Sequence, residues 1–164
     1  MQQSDVGSSS AGPAHSTDSA LDRIELESLI LVRHFEMLRR RNDFYSQLDR
    51  AAYLLLRTLE AGGSMDLRSL ASALGLDRST AGHQVSAMAE HGYVRTEPAP
   101  GDRRRTMITP TDDGLAAMTS VRKLRRDSTA ELLEQWDDDA LAALADNFAR
   151  YNETVKDHYL APLG

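Results

Sequence analysis

Apolar residues recur at helical spacing along most of this chain and give way to strand-like runs only once. From Leu21 onward, Leu21, Ile24, Leu31, Phe35 and Leu38 share one helix face, which Ile30 and Met37 widen. The run "RRRND" predicts its end, because cations suit a helix C-terminus and Asn-Asp suits a stop. A second helix is predicted from about Asp49 to Glu60, with Ala52, Leu55, Leu56 and Leu59 inward and "AGGS" closing it. Two short helices follow. One runs from about Asp66 to Leu74, with Leu67, Leu70, Ala71 and Leu74 on one face. "GLD" breaks it, and Asp77 then serves as N-cap of the next, which runs to about His91 with Ala81, Val85 and Met88 inward. The β-like runs "YVRTE" and "TMIT" predict a small hairpin that ends at Pro110. A long helix from about Asp112 to Gln135 comes next. "DDDA" opens a last helix, striped by Leu141, Leu144, Phe148, Tyr151 and Val155.

The order is helix, short break, helix, then a hairpin whose tip, "PAPGDRRR", is basic. It predicts a mainly α fold with a small β wing: a winged helix-turn-helix flanked by N- and C-terminal helices. In that arrangement the helix starting at Asp77 enters the DNA major groove. The wing reaches toward the neighbouring minor groove, whose negative potential attracts arginine. Residues 1–19, rich in Ser and Gly with almost no apolar periodicity, read as a disordered tail. Residues 20–48 read as an N-terminal helix, 49–114 as the winged domain, and 115–160 as the long helix plus a C-terminal helix.

Charge changes the picture in one respect. The net charge of −6 does not suit a general polyanion binder. Its distribution does suit a local one: residues 1–32 carry −4, residues 131–164 carry −6, and residues 33–130 carry +4. The chain contains no cysteine, which removes disulfides, thiolate metal sites and thiol switches. No apolar run is long enough to span a bilayer and no secretory leader pattern opens the sequence, so a cytoplasmic protein without a membrane partner is expected. The five histidines lack metal-ligand spacing, and no Gly-rich phosphate loop, nucleophile elbow or framed carboxylate pair occurs. Neither a metal, a cofactor nor an enzyme is expected. "DDD" at 137–139 suits a helix N-terminus.

The stretch from Leu67 to Gly114, "LRSLASALGLDRSTAGHQVSAMAEHGYVRTEPAPGDRRRTMITPTDDG", resembles the MarR family of bacterial transcription regulators. Three pieces carry the resemblance: "LASALGLDRST", "HGYV" and "DRR…TPTDDG". It implies an obligate homodimer, with the N-terminal helix (20–48) and the C-terminal helix as dimerisation helices, that binds a double-stranded operator, most often as a repressor, and responds to a small aromatic or phenolic effector. Asp102 and Arg104 fall on the family's Asp-x-Arg wing pair, in which the aspartate braces an arginine that enters the minor groove. Arg103 and Arg105 flank that arginine. Ser79 and Thr80 match the polar start of the recognition helix. Gly82 and His83 stand where many members carry Ser-Arg, so the operator preference of those members does not transfer.

The expected DNA contacts are Arg78, Ser79, Thr80, His83, Gln84, Ser86, Asp102, Arg103, Arg104 and Arg105. The expected effector-lining residues are His34, Arg39, Tyr45 and Tyr53, which are polar or amphipathic and lie around the first two helices. The basic run "VRKLRRD" reads as a solvated face or as salt-bridge donors to the acidic last helix. Two rival readings stand beside this one. The first is an antirepressor-like winged-helix module that binds protein and no DNA; the basic Asp-x-Arg wing speaks against it. The second is a small enzyme on a helical scaffold, which lacks a catalytic frame.

Overall fold

The computed structural model describes residues 14–41, 44–45 and 48–160, with side chains at all of these but 14–16, 103, 104 and 160. The chain divides into two compact units, Met1–Asp43 and Phe44–Gly164. Among the described residues no helix is long and apolar enough to cross a membrane.

The first unit contributes one helix, α1 (Ala14–Arg41), which ends on Arg39, Arg40 and Arg41. It begins ahead of the expected Leu21 and takes in part of the stretch read as a disordered tail. The apolar stripe marks only the part of a helix that has something to bury, whereas the Ala, Ser, Thr and Asp side chains before it permit helix without marking it. The reading of residues 1–13 lies outside the described residues. Along α1 every described side chain is exposed except that of Leu38, so its stripe is unburied within one chain.

The second unit runs α2 (Arg50–Gly62), β1 (Met65–Asp66), α3 (Leu67–Leu74), α4 (Arg78–Glu90), β2 (Val94–Ala99), β3 (Asp102–Pro110), α5 (Asp112–Leu132) and α6 (Asp138–Val155). A short π-helical stretch, Lys156–Leu160, continues α6. One device opens every helix here. Asp49, Asp66, Asp77, Thr111 and Asp137 sit in extended backbone and accept from the N–H three residues on, at 2.8–3.1 Å. Each such cap is worth about 1 kcal/mol. Gly75, in left-handed backbone at φ 65°, closes α3, and Leu76 N–H returns to Ala71 O at 2.9 Å. This fixes the tight turn between α3 and α4.

Leu55, Leu56, Leu59, Leu70, Ile108 and Met118 are the largest fully buried side chains, with Val85, Met88, Val94 and Val121 beside them. The core thus joins α2, α3, α4, the sheet and α5. At about 1.5–3 kcal/mol for each buried Leu, Ile or Met, this cluster dominates the unit's stability. The predicted hairpin is part of a three-stranded antiparallel sheet in the order β1-β3-β2. β1 pairs Met65 with Ile108 and Asp66 with Met107. Two residues give no readable period, and the pairing is long-range, so the pattern does not announce this strand.

The wing-to-α5 junction explains "HGYV" and "TPTDDG" physically. Gly92 takes φ 75°, and Thr111 Oγ1 donates to Gly92 O at 2.6 Å. Thr111 N–H meets Tyr93 O at 3.0 Å. α5 stops at Leu132, short of the expected Gln135, and Trp136 N–H bonds Leu133 O at 2.9 Å in the turn that follows.

Candidate nucleic-acid interface

α4 presents two unlike faces. Ala81, Val85 and Met88 are buried, while Arg78, Ser79, Thr80, His83 and Ser86 are exposed and Gln84 is half-buried. Six of the expected contacts therefore sit together on one helix. Asp77, the N-cap, accepts from Thr80 N–H at 2.9 Å and from Thr80 Oγ1 at 2.6 Å. The Thr80 hydroxyl bond, followed by the backbone bond, lowers the Asp77 pKa from its ordinary value. Thr80 thus spends its hydroxyl proton inside the cap and has none left to donate to a phosphate. Gly82 faces inward. A β-carbon there would meet Leu67 Cδ2 at an ordinary 3.8 Å, so packing against α3 does not require the glycine. At the helix end, His91 Nδ1–H donates to Ala87 O at 2.7 Å and its ring stacks on Tyr93 at 6.0 Å.

The wing has an irregular tip. The ladder runs from Val94–Pro110 to Pro98–Thr106, then jumps to Ala99–Asp102. Over that jump β2 advances one residue and β3 four, so Arg103, Arg104 and Arg105 fall together in a bulge beside the Gly101 turn at φ 82°. The bracing of Arg104 by Asp102 involves an Arg104 side chain outside the described residues, as is that of Arg103. Arg105 is engaged within the protein. Its Nε donates to Asp66 Oδ2 at 3.1 Å, and its Nη2 bonds the same oxygen. The Ser69 N–H and the Arg105 guanidinium together hold the Asp66 pKa at about 2. This partner, far away in sequence, has no signal in the basic run itself.

The expected effector residues belong to both units. His34 and Arg39 stand exposed on α1. Tyr45 and Tyr53 pack edge to face at 6.5 Å, and Arg125 lies 5.7 Å from both ring centres while donating to the Tyr45 hydroxyl. Arg125 belongs to the "VRKLRRD" run, whose Lys123, Arg125 and Arg126 are exposed, as the solvated-face reading expects. Its recorded partners lie elsewhere than on the last helix: Arg122 pairs with Glu60 of α2 at 2.5 Å and Lys123 with Asp127 of its own helix at 2.9 Å. A cleft of about 500 Å³ lies on this side of α5, lined by Tyr53, Arg122, Arg125, Trp136 and Leu141 among others.

Comparison with known proteins agrees with this geometry. Residues 48–106 match the model of the MarR family. The chain is 25% identical over 137 residues to the uncharacterized HTH-type transcriptional regulator YxaD of Bacillus subtilis (strain 168), covering 84% of this chain and 96% of that protein. Its fold resembles the PcaV transcriptional regulator from Streptomyces coelicolor in complex with its natural ligand, with TM-score 0.61, 21% identity, and coverage of 92% and 98%. It also resembles a mutant MarR from E. coli complexed with operator DNA, with TM-score 0.64, 21% identity, and coverage of 79% and 95%. The family match spans α2, α3, α4, β2 and the start of β3, and the chain has the winged-helix fold of the solved MarR-type regulators.

Proposed function

We propose that this protein is a transcription regulator of the MarR family that binds DNA as a homodimer and acts most often as a repressor. α4 lies in the major groove, and an arginine of the wing lies in the minor groove of a pseudo-palindromic operator. One observation carries this reading: the exposed polar face of α4 and the arginine bulge of the wing are presented by a single packed unit. Arg78, Ser79, His83, Gln84 and Ser86 are the proposed contacts on α4, and Arg103 and Arg104 those on the wing. A homodimer is supported by the apolar surface that one chain leaves exposed. Leu21, Ile24 and Phe35 of α1 are each more than half exposed, as is Tyr151 of α6, and α6 has no buried residue. Exposed apolar faces of this extent mark association surfaces.

The proposed effector is a small aromatic acid or phenol bound near Tyr45, Tyr53 and Arg125. Two tyrosine rings and a guanidinium suit an aromatic anion. Arg122 Nε, buried without a hydrogen-bond partner among the described residues, borders the same cleft and favours a carboxylate. Binding there would shift the spacing of the two recognition helices away from one helical turn of DNA, about 34–36 Å.

The test is to select a duplex from a randomised library with the protein and measure its affinity across salt concentrations. A specific operator with a steep salt slope supports the reading. Protein that retains no duplex, yet captures another protein, favours the antirepressor-like alternative. Titrating benzoate and phenol into the complex tests the effector. Release of DNA by benzoate, lost in Arg125→Ala, supports the site.

A further inference from the structure

We propose that Arg105 is a positioning residue: its ion pair with Asp66 ties the arginine bulge of the wing to the start of α3. The inference rests on the wing meeting DNA, as proposed above.

Asp66 makes three attachments at once. Its backbone pairs with Met107 of β3. Oδ1 accepts from Ser69 N–H at 2.8 Å and caps α3. Oδ2 takes both Nε and Nη2 of Arg105. The carboxylate is only 12% exposed, whereas the Arg105 side chain is 58% exposed. The arginine therefore reaches in to a fixed, shielded acceptor, rather than two mobile chains meeting in solvent.

The location gives the pair its consequence. Thr106, paired with Pro98, is the last residue of the regular ladder, and Arg105 is the first beyond it. A bulge residue lacks ladder bonds to hold its direction. Anchoring the first one to α3 sets the direction in which Arg104 and Arg103 leave the sheet. α3 also leads through the Gly75 turn into α4, so the same anchor keeps the wing in register with the recognition helix. A guanidinium paired with a carboxylate forms a pair of no net charge, which adds little to the attraction of a phosphate. The wing's count of phosphate-facing cations then excludes Arg105.

The experiment uses the duplex that the full-length wild-type protein enriches from a randomised library, with a scrambled duplex as control. Affinities are measured across salt for wild type, Arg105→Ala, Asp66→Asn and the double variant, with thermal unfolding followed in parallel. Asn still caps a helix, so Asp66→Asn removes the pair and keeps the cap. Each single variant is expected to weaken specific binding by about three- to thirty-fold, in the range of a close-pair coupling. The double variant should be no weaker than the worse single. The salt slope should stay at the wild-type value, and binding to the scrambled duplex should change little. Asp66→Asn removes a negative charge near a polyanion, so charge alone would tighten binding. Wild-type or tighter binding by Asp66→Asn, together with a salt slope in Arg105→Ala reduced by about one phosphate contact, would make Arg105 a direct contact and overturn the proposal. An equal loss on both duplexes that tracks a lowered unfolding temperature would also overturn it, leaving a purely structural pair. A wild-type protein that enriches no duplex would contradict the DNA-binding reading itself.

Discussion

Gly114, in the first turn of α5, lies against the backbone of Tyr93: a β-carbon there would overlap the Tyr93 carbonyl oxygen and stand 3.0 and 3.1 Å from Tyr93 C and Cα. The same carbonyl accepts from Thr111 N–H, so it cannot swing aside without breaking that bond. Gly114→Ala sets a helix-propensity gain of about 1 kcal/mol against an overpacking cost of about 1–3 kcal/mol. The obstacle is backbone, so the cost should win. Chemical denaturation should show a net loss of stability, and with it weaker DNA binding through a loosened wing.

Gly82 gives the opposite expectation. A β-carbon at this half-buried position meets only Leu67 Cδ2, at 3.8 Å. Gly82→Ala should raise stability by up to about 1 kcal/mol, the difference in helix propensity. Because the position faces α3, specific affinity should be nearly unchanged. A large loss of affinity in a variant that unfolds later would show that DNA does come close to this backbone.

These two glycines illustrate what sequence alone makes legible. The periodic stripes set out α2, α3 and α4 and their inward faces, because burial repeats at the helical period, and they set out α6 as a helix whose stripe one chain leaves unburied. Asp77 was legible as a cap because it precedes such a stripe. Gly82 and Gly114 look alike in sequence, and only the neighbouring backbone separates a tolerant glycine from an obligatory one. Long-range partners were equally hidden. Arg105 finds Asp66, Arg122 finds Glu60, and Arg125 finds Tyr45, each across a wide sequence separation. A run of cations specifies charge, not its acceptor, and so Arg105 and Thr80 read as DNA contacts while the structure engages both within the protein. The bulge was invisible for a related reason: the extra residues are defined by where β2 resumes pairing, not by their own pattern.

The Asp66 carboxyl carries a pH prediction. Its folded pKa of about 2 lies below the ordinary 3.8. The folded state therefore binds fewer protons at this site than the unfolded state between those values. Its contribution is complete above about pH 4 and is lost as pH falls toward 2. Asp66→Asn should flatten this part of the acid limb of unfolding temperature against pH. The two curves should run parallel above pH 4; a variant curve parallel to wild type throughout would show that the carboxyl is not so held.

Association should depend on the exposed stripes of α1 and α6. Burying a Phe side chain is worth roughly 1.5–3 kcal/mol, and a symmetric interface counts each substitution twice. Phe148→Asp should yield monomer or unfolded chain by sedimentation, and lose operator binding with α4 and the wing untouched. A wild-type chain sedimenting as a folded monomer while binding its operator tightly would overturn the dimer.

The most direct test of the account is the salt dependence of affinity for the selected duplex, compared between wild type and Arg104→Ala. If the wing and α4 read DNA together, log affinity falls steeply and linearly with log salt in wild type. Arg104→Ala then binds about 1–3 kcal/mol more weakly at fixed salt, as for the loss of one specific arginine contact. Equal affinity of the two proteins at every salt concentration would contradict a wing that enters the minor groove.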